Sequence, residues 1–134
     1  TIATITDFKS ITVFDLHTGA IQHNVTHMEG VSKLAVIPRG KYILTDCCQD
    51  NSLKLWSADL DLLGKFSLKN NDFRDCQVEH IVCLSEDDFV AIYAKDVHTK
   101  EDDFVSTVFV LWNLMNDHSD PHSCEVHTDT ITCA

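Results

Sequence analysis

Glycine and proline are scarce in this chain, four and two among 134 residues. No glycines stand together in a phosphate-cradling loop, so nucleotide chemistry has no motif to rest on. No apolar run is long enough to cross a bilayer as a helix, and no charged-then-apolar leader opens the chain. No ten-residue window shows helical apolar spacing without β-branched or turn residues. Basic residues are also few. Ten Lys and Arg stand against 21 Asp and Glu, a formal charge of −11. That balance argues against a nucleic-acid backbone as partner and favours solubility and basic protein segments. Cys-x-x-Cys pairs are absent. The six cysteines, at 47, 48, 76, 83, 124 and 133, read as reduced thiols of an intracellular, cytoplasmic protein rather than a disulfide framework. Adjacent Cys47 and Cys48 should point to opposite faces of a strand and not bond each other.

What is present is a set of short apolar runs bounded by turn residues. The clearest stretch is 27–58, HMEGVSKLAVIPRGKYILTDCCQDNSLKLWSA. Its runs VSKLAVI, KYILTDCC and SLKLW are separated by PRG and QDN, and LLGKFSL follows as a fourth. Period-two runs bounded by Gly, Pro, Asn and Asp predict antiparallel strands joined by tight turns. In SLKLW the alternation sets Leu53 and Leu55 on one face, Lys54 and Trp56 on the other. Before this unit, TIATIT, SITVFDL and AIQHNV predict three strands. After it, LKNNDFRDCQ reads as a polar loop, then VEHIVCLS, DFVAIYAK, STVFVLW and SCEV as four strands. DVHTKEDD is expected to lengthen a turn. Phe14, Trp56 and Trp112 form a series, the first two 42 residues apart, and Val31, Ile81 and Ile131 recur at 50. Repetition at this period predicts an all-β chain: a partial β-propeller of about three four-stranded antiparallel blades. The expected pieces are 1–26, 27–68 and 77–126, with a further blade starting at 127–134.

The order His, strand, Pro-Arg-Gly turn, strand, Asp-Asn turn, strand ending in Trp resembles the WD-repeat family. The resemblance implies a buried hydrogen-bond network, which here would fall on His27, Thr45 or Asp46, Asp50 and Trp56. Asp46 stands where a hydroxyl is usual, and Thr26 replaces the Gly that ordinarily precedes the His. In the third blade Gln77 and Ser106 map onto His27 and Asp50, so no network is expected there. The resemblance also implies a non-catalytic protein-interaction scaffold without a cofactor, joined to the remaining blades of a longer chain. The alternative is the sensor propeller of a NACHT-type ATPase switch. An immunoglobulin-like sandwich fits poorly, because Cys48 precedes Trp56 by only eight residues.

Candidate partner-binding residues lie in the loops expected on one end of the blades: Phe73, Arg74, Gln49, Asn51 and Lys100. Glu86-Asp87-Asp88 and Glu101-Asp102-Asp103 sit in predicted turns, either as solvated loops or as docking points for a basic segment. A His-Asp pair resembles catalytic chemistry, yet no Ser or Cys nucleophile has a supporting motif. His118, Asp120, His122, Cys124 and His127 crowd together as zinc-capable side chains, with an exposed polar loop as the plainer reading. Asn24-Val25-Thr26 matches a glycosylation acceptor, a motif short enough to arise by chance. A chain opening at Thr1 and holding about three blades is expected to be cut from a longer one and to self-associate when alone.

Overall fold

The computed structural model describes residues 2–6, 8–26, 30–37, 39, 41–67, 76–98, 103–114 and 122–127, with backbone only for 2–6, 90, 95–98, 103–106 and 122–127. Eleven strands form three antiparallel sheets, and no α-helix occurs among the described residues. The first sheet holds β1 (Ile2–Thr6), β2 (Ser10–Phe14) and β3 (Ile21–Thr26) in that order. The second holds β4 (Leu34–Val36), β5 (Tyr42–Cys47), β6 (Ser52–Ser57) and β7 (Leu62–Phe66). The third holds β8 (Cys76–Cys83), β9 (Asp88–His98), β10 (Asp103–Asn113) and β11 (His122–His127). Each is a meander, the blade of a partial propeller.

The sheets pack face to face because the strands of the middle one are apolar on both sides. Ile43 and Trp56 meet Ile11 and Val13 of β2, with Val31 and Leu60 closing that cluster. Leu44, Leu53, Leu55 and Phe66 face the other way, onto Val78, Phe89, Tyr93, Val108 and Trp112 of the third sheet. The alternation read in SLKLW is the observed one. Phe66 meets Phe89 and Trp112 edge-on, both at 5.3 Å between centroids, while Phe89 and Trp112 stack at 6.3 Å. Edge and offset ring pairs of this kind each add about 0.5–1.5 kcal/mol beyond area burial. Two polar side-chain contacts cross between sheets: His23 Nε2 lies 3.2 Å from Asp59 Oδ1, and Arg39 pairs with Glu86 at 2.7 Å. Both are exposed, so they orient the sheets more than they hold them.

The first two sheets share a corner in atomic detail. Trp56 and Phe14 end β6 and β2, and each is followed by a polar residue that organises the turn. Asp15 Oδ1 accepts from the His17 and Thr18 amides at 2.9 and 2.8 Å. Ser57 Oγ accepts from the Asp59 and Asp61 amides at 3.2 and 3.0 Å. Asp15 N donates to Ala20 O and Ser57 N to Asp61 O, both at 2.9 Å. Gly19 has φ 70 and Leu60, at the matching point, φ 66. Gly takes that left-handed conformation freely, whereas Leu is strained in it, and burial of Leu60 to 4% exposure offsets the strain. One extra residue then bulges into the outer strand in each sheet, Gln22 in β3 and Leu63 in β7.

Three sequence expectations change. DVHTKEDD does not simply lengthen a turn: β9 runs on through Val97 to His98, and β10 starts at Asp103. Backbone pairing along one hairpin outweighs the turn character of these acidic residues. Asp88 and Asp103, read as turn residues, therefore begin strands, and Ser106 lies within β10, so it is no counterpart of Asp50. The 50-residue spacing of Val31 and Ile81 joins positions that do not correspond. Val36 and Cys83 are the matching residues, each opposite the partner of its sheet's Trp, and they lie 47 apart. SCEV is extended by one residue at each end, so His127 closes β11 opposite Thr107. Residues 128–134, expected to open another strand, lie outside the described residues.

Candidate functional site

Of the residues implied to form one buried network, the structure distributes those it describes among three separate arrangements. The first is apolar in its surroundings. Trp56 is 6% exposed, Thr45 is fully buried, and the indole N–H donates to Thr45 Oγ1 at 2.9 Å. An indole buried without an acceptor forfeits its hydrogen bond to water, and Thr45 spares Trp56 that cost.

The second arrangement centres on Asp46, which β5 directs to the opposite face from Thr45. Its carboxylate is 4% exposed and accepts from Ser32 N at 2.6 Å, Lys33 N at 2.9 Å and Ser32 Oγ at 2.6 Å. The Cys48 thiol donates to it at 3.7 Å. Asp46 thus fastens the segment entering β4 onto β5, a role the sequence did not show because its partners are 13 and 14 residues away. A buried charge held by several donors is stable where an unpartnered one would not be. Burial, with the carboxylate beside it, pushes the exposed Cys48 thiol above its ordinary value, despite a hydrogen bond from Ser32. A thiol so held is a poor nucleophile at neutral pH.

The third arrangement ties the β5–β6 turn to the outer strand. Asp50 accepts from the Lys65 ammonium and from Ser52 N, the latter at 3.1 Å. Partial burial pushes its pKa up, but Lys65, Ser52 and Cys47 outweigh that and hold the carboxyl well below the usual range. His27 lies outside the described residues.

The Ser32–Asp46 region forms one wall of a cleft of about 130 Å³, lined also by Cys47, Cys48, Asn51, Gln77 and Val78. It opens between the second and third sheets, at the end where β5 turns into β6. Gln49 is exposed in that turn, and Asn51 completes it with φ 54 and its amide donating to Cys47 O at 2.9 Å. Phe8 belongs to the same end: its carbonyl accepts from Val31 N at 2.8 Å, its φ is 54, and its ring is 70% exposed. The sequence reading missed Phe8, and an aromatic beside Asp7 in a short turn was the available signal. Phe73, Arg74 and Lys100 lie outside the described residues, as do His118 and Asp120. His122, Cys124 and His127 are on β11, where only the backbone is described. No group of three or more potential metal ligands occurs among the described residues. No helix among them is long and apolar enough to cross a membrane.

Cys47 and Cys76 are buried and Cys83 is half-buried. Asn24 and Thr26 of the glycosylation-type triplet are exposed on β3, with Thr12 Oγ1 donating to Asn24 Oδ1 at 3.4 Å. Among the described residues of the third sheet, the Tyr93 hydroxyl and the Trp112 indole N–H are buried without a hydrogen-bond partner. Burial pushes the Tyr93 pKa up.

The chain matches no protein-family model and no curated protein. The geometry above is therefore what bears on its function.

Proposed function

We propose that this chain is a non-catalytic protein-interaction scaffold, a segment of a WD-repeat-type propeller. The observation that supports this most directly is the repeated corner after Phe14 and Trp56. At both corners a polar side chain caps the turn, a left-handed residue precedes the outer strand and one residue bulges, at positions 41 or 42 residues apart. Stacked blades of this kind present their turns at two ends, and turns tolerate binding residues better than strands do. The end carrying Gln49, Asn51 and Phe8 is the docking face in this reading, with Phe73, Arg74 and Lys100 contributing to it. The acidic balance of the chain suits basic segments of other proteins.

The two ends can be tested separately. The Arg39–Glu86 pair sets the β4–β5 and β8–β9 turns at the same end, which places Leu84 opposite Gln49. A photo-crosslinking residue at Gln49 should capture a protein partner that the same residue at Leu84 does not. Equal capture at both, or a partner list unchanged by Phe73→Ala with Arg74→Ala, would count against the assigned face and residues respectively.

A further inference from the structure

Eight large apolar side chains are exposed among the described residues. Phe8 stands at the end of the Gln49 turn. The other seven lie in or beside the turns at the opposite end. Apolar side chains scattered singly over a surface are ordinary, whereas gathering at one end marks a contact surface. Four of the seven sit on the two matching corners, Leu16 and Ile21 after Phe14, Leu62 and Leu63 after Trp56, and each is more than half exposed. The described stretches 8–26 and 41–67 run through both corners without a break.

The two corners adjoin. Leu60 of the second is buried against Ile11 and Val13 of the first sheet, and His23 reaches Asp59 across the seam. Ile21 lies opposite Phe14 and Leu62 opposite Trp56, so the two hold the same place in neighbouring sheets. Sheets packed face to face stand roughly 10 Å apart, close to the rise of two helical turns. The fold does not call for all of this apolar surface. The bulge that Leu63 fills in β7 is filled by Gln22 in β3, and the place of Leu16 after Phe14 is held after Trp56 by Ala58. Charge at the corners is of one sign. Residues 15–23 and 57–64 carry three carboxylates, Asp15, Asp59 and Asp61, and no Lys or Arg.

We infer that the paired corners are a second docking surface, for an amphipathic helix of a partner protein that carries Leu-type residues on one face with Lys or Arg beside them. This surface is additional to the Gln49 face of the scaffold reading and takes a different partner. Apolar residues seven apart on the helix meet the Ile21 and Leu62 corners in turn, and the flanking basic side chains meet the carboxylates. A second copy of the chain is a poor occupant, since it would bring Asp15, Asp59 and Asp61 against an equally acidic surface.

The test uses the whole chain, with Leu and Ile methyl groups labelled for NMR, and two synthetic helices of about 18 residues. Both carry Leu at three-and-four spacing, with Lys at the remaining positions of one and Glu at those of the other. The Lys helix should shift the methyl signals of Leu16, Ile21, Leu62 and Leu63 and leave that of Leu84 in place. Its binding should weaken as salt rises from about 0.05 to about 0.5 M, and the Glu helix should cause no shift. Leu16→Ser with Leu63→Ser, both at exposed sites, should weaken binding at least about tenfold while the Trp56 indole signal stays in place. Asp59→Lys with Asp61→Lys should move the preference to the Glu helix. Five results would overturn the proposal: the largest shifts falling elsewhere on the chain, equal response to the two helices, undiminished binding by a folded Leu16→Ser, Leu63→Ser variant, unchanged preference in a folded charge-swapped variant, or the same methyls shifting with protein concentration alone. Partner capture at Gln49 alongside any of these would leave the scaffold reading standing. The expected methyl shifts without capture at Gln49 would count against that face and leave this one.

Discussion

Thr45 and Ala91 occupy the same place in neighbouring sheets: each lies two residues beyond the strand partner of its sheet's tryptophan, Ile43 opposite Trp56 and Phe89 opposite Trp112. Thr45 accepts the Trp56 N–H, whereas Ala91 offers nothing to Trp112, whose N–H is buried without a partner. One hydroxyl separates a satisfied indole from an orphaned one.

Restoring that hydroxyl should stabilise the chain. Ala91→Ser adds an acceptor with less overpacking than Thr would bring to a fully buried site. One regained hydrogen bond contributes about 0.5–1.5 kcal/mol. Urea denaturation should show a higher midpoint at constant slope, and the Trp112 indole proton should move downfield. An unmoved indole resonance would show that the two sheets are not equivalent at this point.

The reverse change should cost stability in the second sheet. Thr45→Val keeps the shape and orphans the Trp56 N–H, a loss of roughly 1–3 kcal/mol. Trp56→Phe alone removes the donor along with some apolar bulk. If the bond is what matters, Thr45→Val should cost measurably less in the Trp56→Phe background than in the parent. Fully additive losses would argue that the hydroxyl contributes only volume.

Asp46→Ala should be the most damaging substitution at the cleft. It removes the acceptor for the Ser32 and Lys33 amides and for the Ser32 hydroxyl. Leaving such groups without partners costs roughly 1–3 kcal/mol each before water replaces the lost bonds. Hydrogen exchange at Ser32 and Lys33 should accelerate well beyond the global change. Local exchange that tracks global stability alone would mean that Asp46 is not the fastener.

Acid should loosen the Asp50–Lys65 tie. The folded pKa of Asp50 lies below the ordinary 3.8, so its contribution is present above that value and fades as pH falls from it towards the lower folded value. Both side chains are more than 40% exposed, which limits the effect to less than about 1 kcal/mol. Lys65→Met should flatten the acid limb of stability against pH between about pH 5 and pH 2, and high salt should do the same to the parent. An unchanged limb would place the acid sensitivity elsewhere.

Much of this architecture was legible in the sequence where side-chain period and turn chemistry agreed. SLKLW gave both faces of β6, and the Phe14–Trp56 spacing located matching corners. Reading failed where backbone pairing overrode composition. Val97 and Phe104 sit among acidic residues that look like a turn, yet they face each other across an unbroken ladder. The grouping of Thr45, Asp46, Asp50 and Trp56 was only partly legible. Neighbouring strand residues point to opposite faces, so Thr45 and Asp46 could not serve one network. Ser32 and Lys65 were missed because their partners are distant in sequence and only folding brings them close.

The second sheet has a neighbour on each side, and its two faces are apolar for different partners, Ile43 and Trp56 for one, Leu44 and Leu55 for the other. Such an element behaves like the middle unit of a linear array, whose stability is set mostly by its couplings to the units beside it. Perturbing either outer sheet should therefore travel inward, so a cut or substitution in β2 should raise exchange in β5 and β6 before it is felt in β9.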